Sequence, residues 1–258
     1  MRILCIGDVC GSIGCDFLRQ RLPSLKKQRN IDMVVVNGEN SADGNGILPA
    51  SAAHLYDSGA HVITGGNHTF RRREIFPLLE EDETLLRPAN FPASAPGRGI
   101  AYVDFGYVTV AVISLLGVVY MEPLDCPFHT ADALVEEAKA AGARIILVDF
   151  HAEATAEKRA LGFYLDGRVS ALFGTHTHVQ TADACLLPQG TGYITDLGMT
   201  GPIESVLGVQ PQLSIAKMKD KLPVRFQLEK GACMLNGCIF EVDHKTGKTL
   251  SVEAVDIR

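Results

Sequence analysis

Five short apolar runs in this sequence each end in a polar side chain that can bind a metal ion. The second run shows this most clearly, because VVV at 34–36 leads directly into Asn37, Glu39 and Asn40. Continuous apolar runs of this length are typical of buried strands. The five endings are GD at 7–8, NGEN at 37–40, GGNH at 65–68, DFH at 149–151 and GTHTH at 174–178. Since ligands bind at the carboxyl ends of strands in open α/β sheets, the pattern predicts one site built from five strand ends.

The segments between these runs predict helices, so strands and helices alternate along the chain. Thr130 is expected to cap the fourth helix and Gly142 to end it, whereas Pro23 is expected to bend or split the first. The predicted strands are 2–6, 32–36, 61–64, 144–150 and 168–173, and the predicted helices are 14–29, 49–58, 71–82, 130–141 and 155–165.

Two more regions predict strands that form hairpins. Residues 100–117 predict a pair of strands that meet at Gly106, and the tail from residue 222 onward alternates like a half-exposed sheet. Alternating strands and helices together with hairpins favour an α/β fold of two packed β-sheets flanked by helices. The 258 residues, 47% of them hydrophobic, can bury the core of a single domain spanning 1–258.

Charge and cysteine content restrict the possible partners and compartment. A net charge of -6 provides no broad positive field, so we expect no long nucleic acid as partner. The seven cysteines contain no Cys-x-x-Cys pair, which predicts reduced thiols and a cytoplasmic location. The amino-terminal apolar stretch is too short for a signal peptide, and no window is long enough to predict a membrane span.

The strand ends supply oxygen and nitrogen donors, and more of them than one ion needs. Such donors suit two divalent ions such as iron, manganese or zinc. A carboxylate has two oxygens, so a single one can bind both ions. Glu39 is the predicted bridge, with Asn40 beside it. The two histidines of GTHTH, two residues apart in an extended segment, are expected to point the same way. The predicted metal ligands are Asp8, Glu39, Asn40, Asn67, His151, His176 and His178.

These motifs resemble those of the calcineurin-like metallophosphoesterases, which implies a four-layer α/β/β/α sandwich. The superfamily's Asp-x-His is here Asp8-Val9-Cys10, and its bridging aspartate is Glu39. Both departures resemble the YmdB-type cyclic-nucleotide phosphodiesterases, as do RILCIGDVCGSIG, NGENSADGNGI, LLRPANFP, DFHAEATAEK, SALFGTHTHVQTAD and YITDLGMTGP.

The resemblance implies how the ligands divide between two ions, which in this family are usually iron. It assigns one ion to Asp8, Glu39, Asn40 and His178, and the other to Glu39, Asn67, His151 and His176. His68 follows Asn67 and is the predicted general acid, because a departing ribose oxygen needs a proton. A metal-bridging hydroxide is the expected nucleophile.

The predicted activity is hydrolysis of small cyclic nucleotides, 2′,3′-cyclic first and 3′,5′-cyclic second. Two alternatives remain at this point: a phosphomonoesterase or phosphoprotein phosphatase, since the metal pair does not distinguish ester types, and a regulatory protein that binds metal and nucleotide with little turnover. A homo-oligomer is also expected. Residues 199–212 predict a long apolar loop that serves either as an oligomer contact or as a cover over the site.

Several side chains near the motifs have two interpretations. Cys10 is either a metal ligand or a small packing residue, and packing is favoured. Arg71 to Arg73 either steer phosphate or form a solvated helix face, and the solvated face is favoured. Asp196 is either a partner of a metal-bound histidine or a turn residue. The full set of predicted histidine partners is Asp149, Thr175, Thr177 and Asp196.

Overall fold

Two β-sheets and six α-helices build the protein. The structure is a computed structural model that describes all residues from Met1 to Arg258. The helices are α1 Gly11–Arg29, α2 Pro49–Ser58, α3 Phe76–Glu81, α4 Pro127–Ala140, α5 Thr155–Tyr164 and α6 Pro211–Asp220. The strands are β1 Arg2–Ile6, β2 Asp8–Val9, β3 Met33–Asn37, β4 Val62–Thr64, β5 Ile100–Asp104, β6 Thr109–Leu116, β7 Ile145–His151, β8 Ala171–Thr175, β9 Cys185–Leu186, β10 Gly192–Ile194, β11 Met199–Pro202, β12 Cys233–Val242 and β13 Thr249–Ile257.

The strands that carry the predicted ligands lie in both sheets. The first sheet has the order β2-β11-β12-β1-β3-β4, with β13 paired to β12, and the second has the order β5-β6-β7-β8-β10-β9. In the first sheet β1, β3 and β4 run parallel, and in the second β6, β7 and β8 do. The five strand ends therefore come three from one sheet and two from the other.

Alternating side chains along the central strands divide the core into three layers. In β1, Leu4 packs with α1 and α2, whereas its neighbour Ile3 packs between the sheets. In β7, Leu147 lies between the sheets and Ile146 packs with α4 and α5. Each such side chain contributes about 1.5–3 kcal/mol by burial. Helices on the outer face of two stacked sheets confirm the predicted four-layer α/β/β/α architecture.

The ends of α4 and the course of α1 differ from the sequence prediction. α4 begins at Pro127 with Cys126 before it, so the prediction of Thr130 as N-cap is wrong. Proline at the first helical position favours this earlier start, because its missing N–H needs no partner there. Gly142 follows the end of α4 with φ of 84°, as predicted. α1 runs unbroken through Pro23, so the predicted split is also wrong.

The predicted helix at 71–82 is wrong over its first half. Residues Thr69–Arg71 and Arg73–Ile75 form two short 3-10 turns, and α3 follows at Phe76–Glu81. Pro77 lies in the first turn of α3, where its missing N–H needs no partner. The fifth strand is also displaced, since β8 begins at Ala171 rather than at residue 168.

Residues 199–212 are not one long loop. The segment begins as β11, which pairs with β2 and β12, and it ends in the first turn of α6. The helix escaped prediction because it is only weakly amphipathic and exposes Ile215 and Met218. In the tail, strand structure starts only at Cys233. None of the helices combines the length and apolar character that crossing a membrane requires.

Candidate metal centre

One group of donor atoms surrounds Nε2 of His151, the last residue of β7. Its Nε2 lies 3.0 Å from Oδ1 of Asn67, 3.1 Å from Nδ1 of His176 and 3.3 Å from Oε1 of Glu39. Glu39, His151 and His176 each offer a ligand atom within 4.8 Å of the others. Four donors at this spacing match the number that a tetrahedral divalent ion takes.

A second group of donors lies on the other side of Glu39. Nε2 of His178 lies 3.6 Å from Oδ1 of Asp8 and 3.4 Å from Nδ2 of Asn40, and this same Nδ2 lies 2.7 Å from Oε1 of Glu39. All seven predicted ligands thus meet at one place. The Glu39 carboxylate is the group that the two sets share.

Two features of the pocket fit bound cations. Oδ1 of Asp8 is buried and has no hydrogen-bond partner, while Oδ2 accepts the backbone N–H of His176 at 3.1 Å. A buried carboxylate oxygen without a partner is costly, and a metal ion removes the cost. At Gly66 an added Cβ would lie 2.3 Å from Oε2 of Glu39 and 2.5 Å from Nε2 of His151. Only glycine leaves the donors room to converge.

The charges within the pocket also suit metal binding. Burial raises the pKa of Glu39, but His151 and His68 outweigh it and hold the pKa well below its usual range. Burial and the neighbouring His151 lower the pKa of His176 to about 3, so its ring is neutral and offers a lone pair. For His178 burial lowers the pKa, while Cys10 and the nearby carboxylates raise it to about 10. A cation would displace the proton from such a ring.

A buried hydrogen-bond network orients the ring of His151 through Nδ1, the nitrogen that does not face the donors. Nδ1 of His151 lies 2.9 Å from Oγ1 of Thr175, which donates to Asp149 at 2.7 Å. Asp149 also accepts the side chains of Thr64, at 2.5 Å, and Asn37, at 3.0 Å. The network fixes the ring so that Nε2 faces the pocket. Thr175 and Asp149 therefore lie where the sequence predicted partners of a ligand histidine, and Asn37 and Thr64 were not foreseen.

His176 and His178 do not lie in an extended segment, so that prediction is wrong. β8 ends at Thr175, and both histidines then adopt left-handed backbone, with φ of 99° and 62°. Such a conformation costs non-glycine residues of order 1–3 kcal/mol each. The turn aims one ring at His151 and the other at Asp8. A straight strand would have sent both rings to the same face.

The turn between the two histidines is anchored by a buried ion pair. Asp196 accepts the backbone N–H of Thr177 at 3.1 Å and its hydroxyl at 2.6 Å. The same carboxylate binds Nζ of Lys158 at 2.7 Å, with side chains that are 0% and 1% exposed. Neither Thr177 nor Asp196 hydrogen-bonds to a ligand ring, so Thr177 is not the predicted histidine partner, and Asp196 agrees with its second interpretation as a turn residue. Lys158 was not predicted to be buried, because a lysine on an amphipathic helix is normally solvent-exposed.

Cys10 supports His178 from the side opposite the donors. Its Sγ lies 3.6 Å from Nδ1 of His178, whereas Nε2 faces Asp8 and Asn40. The sulfur also approaches Sδ of Met199 at 4.0 Å. These contacts agree with the packing interpretation, since the sulfur meets the nitrogen that points away from the pocket.

His68 lies at the edge of the donor cluster and is partly exposed. Its Nδ1 is 3.2 Å from Oε1 of Glu39 and 3.0 Å from Oδ1 of Asn40, and its backbone N–H donates to Glu39 at 2.8 Å. This leaves Nε2 to face the pocket. Asn40 turns its Nδ2 toward Glu39 and His178, so ligation through Oδ1 requires the amide to flip.

A group of apolar side chains lines, together with several of the donors, a pocket of about 350 Å³. We call this group the cover; it consists of Val206, Leu207, Met218, Phe226 and Leu228. Two backbone hydrogen bonds join the segment that carries Val206 and Leu207 to the segment that carries Phe226 and Leu228. The N–H of Gln210 donates to the carbonyl of Gln227, and the N–H of Glu229 donates to the carbonyl of Gly208. Of the two interpretations of residues 199–212, this placement favours a cover over the site.

Two residues of the family-like motifs have distinct positions. Nε2 of His176 pairs with Glu153 at 3.1 Å, so this half-exposed carboxylate borders the donor cluster. Asn90 instead ties a loop to β6 through Leu116, where it both donates and accepts. Asn90 is therefore a structural residue, and Glu153 is a further polar group at the pocket.

The fold is the four-layer sandwich that the resemblance to calcineurin-like metallophosphoesterases implied. Among solved structures, the 5′-nucleotidase precursor of Thermus thermophilus superposes with a TM-score of 0.60 at 13% identity, over 100% of this chain and 54% of that one. At this identity the likeness concerns the fold alone.

The chain belongs to the YmdB-like protein family, whose model matches residues 4–255. It is 48% identical to the 2′,3′-cyclic-nucleotide 2′-phosphodiesterase of Bacillus subtilis (strain 168), over 99% of this chain and 96% of the relative. A crystal structure described as a novel phosphatase from Mycoplasma pneumoniae superposes with a TM-score of 0.94 at 34% identity, covering 100% of this chain and 93% of that one. The predicted family is confirmed.

Proposed function

We propose that this enzyme hydrolyses small cyclic nucleotides with the help of two metal ions, and that 2′,3′-cyclic nucleotides are its preferred substrates. The geometric observation that carries the proposal is the position of Glu39, whose carboxylate lies between two separate groups of donors. The name of the 48% identical Bacillus subtilis relative supports the choice of substrate.

The ligands divide in this proposal as the two donor groups do. Glu39 is common to both sets, which are Asp8, Asn40 and His178 on one side and Asn67, His151 and His176 on the other. When bound, two divalent ions supply a nucleophile derived from water and positive charge for the phosphate oxygens. Oxygen and imidazole donors without a thiolate suit iron, manganese or zinc, and we propose iron first.

His68 is the proposed general acid for the departing 2′ oxygen. Its Nδ1 lies 3.2 Å from Oε1 of Glu39, so Nε2 is the atom that delivers the proton. Cleavage at the 2′ oxygen leaves the phosphate on the 3′ oxygen of the ribose.

The cover provides the proposed site for the nucleobase. Phe226 is 43% exposed and lines the pocket together with Met218 and Leu228. An aromatic face binds any base by stacking, which is worth about 1–3 kcal/mol. The pocket therefore offers apolar side chains for the base and polar side chains for the phosphate.

A substrate panel tests the proposal. Protein loaded with iron or manganese is assayed with 2′,3′-cyclic AMP, 3′,5′-cyclic AMP, 3′-AMP and a mono-aryl phosphate. We expect 2′,3′-cyclic AMP to give the highest kcat/KM and 3′-AMP as the only product. Faster hydrolysis of the two monoesters would instead support a phosphomonoesterase, which the description of the Mycoplasma pneumoniae structure as a phosphatase keeps as second candidate.

The expected homo-oligomer stays a prediction, and light scattering on the purified protein tests it. A mass near the 27.8 kDa of one chain would contradict it.

A further inference from the structure

A second, positively charged cleft adjoins the proposed catalytic pocket. It has a volume of about 1000 Å³, and the residues that give it charge are Arg71, Arg72, Arg225 and Lys230, together called the basic cleft. One carboxylate, Asp43, also lines it, although the chain as a whole carries a net charge of -6. A local concentration of positive charge on an acidic protein attracts anions to that place.

The basic cleft and the catalytic pocket adjoin each other. Four residues line both of them: Asn45, Val209, Phe226 and Leu228. Arg71 closes the 3-10 turn that follows His68, and at about 2.0 Å of rise per residue the two residues lie about 6 Å apart along the chain. A molecule that fills the pocket of about 350 Å³ can therefore extend past His68 into the cleft.

Three cationic groups of the cleft, those of Arg71, Arg225 and Lys230, are available to a ligand. The lysine and arginine ion pairs of the structure all involve other residues, so the four cleft side chains have no carboxylate partner. Arg72 donates to the backbone oxygens of Asn45 and Asp43, which fixes the loop that separates pocket and cleft. Asp43 is already engaged by the N–H and hydroxyl of Ser12. Arginine forks without partners suit phosphate oxygens in particular.

We infer that the substrate carries a second phosphate, attached to the 5′ oxygen of the nucleoside whose 2′,3′-cyclic phosphate is hydrolysed. The inference rests on the proposed function. In a nucleoside 2′,3′-cyclic phosphate the base occupies one position of the sugar and the cyclic phosphate two others, so the 5′ oxygen is the one that remains. The base lies on the cover, the cyclic phosphate faces the donors, and the 5′ phosphate enters the basic cleft.

Two kinds of substrate contain this chemistry. One is a mononucleotide with a free 5′ phosphate, and the other is a short RNA whose terminal nucleotide is joined to its neighbour through a 5′ phosphodiester. The size of the cleft accommodates either. The net charge of -6 favours contact with the end of a chain over contact along a longer polymer.

Three substrates and a charge-matched control test the inference. The three substrates are adenosine 2′,3′-cyclic phosphate, the same compound with a 5′ phosphate, and the dinucleotide ApA ending in a 2′,3′-cyclic phosphate. We expect kcat/KM to rise by between about threefold and tenfold when the 5′ phosphate is present, the range for one or two exposed ion pairs. The gain lies in KM and shrinks at 0.5 M salt, at roughly which concentration exposed charges are largely screened.

The variant Arg71→Gln/Arg225→Gln should bring the ratio of the phosphorylated to the unphosphorylated substrate close to one. The control is Arg19→Gln/Lys27→Gln, which removes the same charge from the exposed side of α1 and should leave the ratio unchanged. A gain for the dinucleotide alone identifies RNA ends as the source, and a gain for the free 5′ phosphate alone identifies mononucleotides. Equal kcat/KM for all three substrates, or a gain that survives in Arg71→Gln/Arg225→Gln, overturns the inference.

A binding measurement separates this inference from the proposed function. Adenosine 3′,5′-bisphosphate and 3′-AMP are titrated into the metal-loaded protein by calorimetry. The bisphosphate should bind about threefold to tenfold more tightly, and this difference should vanish in Arg71→Gln/Arg225→Gln. If no cyclic phosphate is hydrolysed, the proposed function fails, and equal affinities then overturn the inference as well.

Discussion

Lys158→Met isolates the contribution of the buried ion pair behind the His176–His178 turn. Removal of one partner from a buried pair costs about 3–5 kcal/mol, because the other charge is left without compensation. Asp196 would still accept three hydrogen bonds, from the N–H and hydroxyl of Thr177 and the N–H of Gly198. We therefore expect the lower end, about 3 kcal/mol, and a fall in Tm of roughly 6–12 °C for a chain of this size.

Urea unfolding in the presence of a chelator measures this loss without the contribution of metal binding. Lys139→Met is the matched control, because Lys139 pairs with Glu136 at 3.0 Å while both side chains are about half exposed or more. An exposed pair of this spacing contributes about 0.2–0.5 kcal/mol. The double variant Lys158→Met/Asp196→Asn should recover part of the stability, since it leaves no unpaired charge.

The same substitution should also weaken metal binding, because Thr177 lies between His176 and His178. Titration of metal into the stripped variant should give a larger Kd than in the parent. If Lys158→Met loses less than about 1 kcal/mol, or if its metal affinity equals that of the control, the ion pair does not hold the turn in place.

Three further outcomes follow from the structure. His68→Ala should retain its full metal content and lose a factor of about 10² to 10⁴ in kcat, the contribution of general acid catalysis; unchanged turnover removes His68 from the mechanism. Phe226→Ala should raise KM for 2′,3′-cyclic AMP by roughly 5- to 150-fold, the equivalent of one base stack, and leave KM for a base-free cyclic phosphate of ribose unchanged; equal effects on both would contradict base stacking. For Asp183, partial burial raises the pKa, but hydrogen bonds from Thr195 and Thr181 outweigh it and lower the pKa. Its stabilisation is thus present above the ordinary value of about 3.9 and is lost as the pH falls through the lowered one; Asp183→Asn should reduce stability at pH 7 and flatten its decline in acid, and parallel pH profiles of urea unfolding would refute this.

The strand ends could be predicted from sequence because two local signals agree there. Apolar runs such as residues 34–36 indicate buried strands, and the polar side chains that follow have no use in a core. The rule that parallel strands share an edge brings together the donors of each sheet, Glu39 with Asn67 in the first and His151 with His176 in the second. Two sheets were predicted, but the pattern did not show that the five strand ends are divided between them, since pairing depends on contacts between distant residues.

The parts that sequence reasoning missed depend on tertiary structure. The left-handed backbone of His176 and His178 is stabilised by Asp196, which lies about 20 residues further on and has no local signature. Lys158 can be buried because its ammonium group pairs with the buried carboxylate of Asp196. Helix α6 buries only Ser214 against the rest of the protein. Its sequence therefore has almost no helical periodicity of apolar residues that could have predicted it.

Metal analysis of Glu39→Gln tests the central claim most directly. The parent protein, purified without added ions and then loaded with iron or manganese, should contain two ions per chain. Because one carboxylate serves both donor groups, Glu39→Gln should weaken both sites together, and titration should show a parallel loss of the two ions. Loss of one ion with undiminished affinity for the other would contradict the bridging position of Glu39.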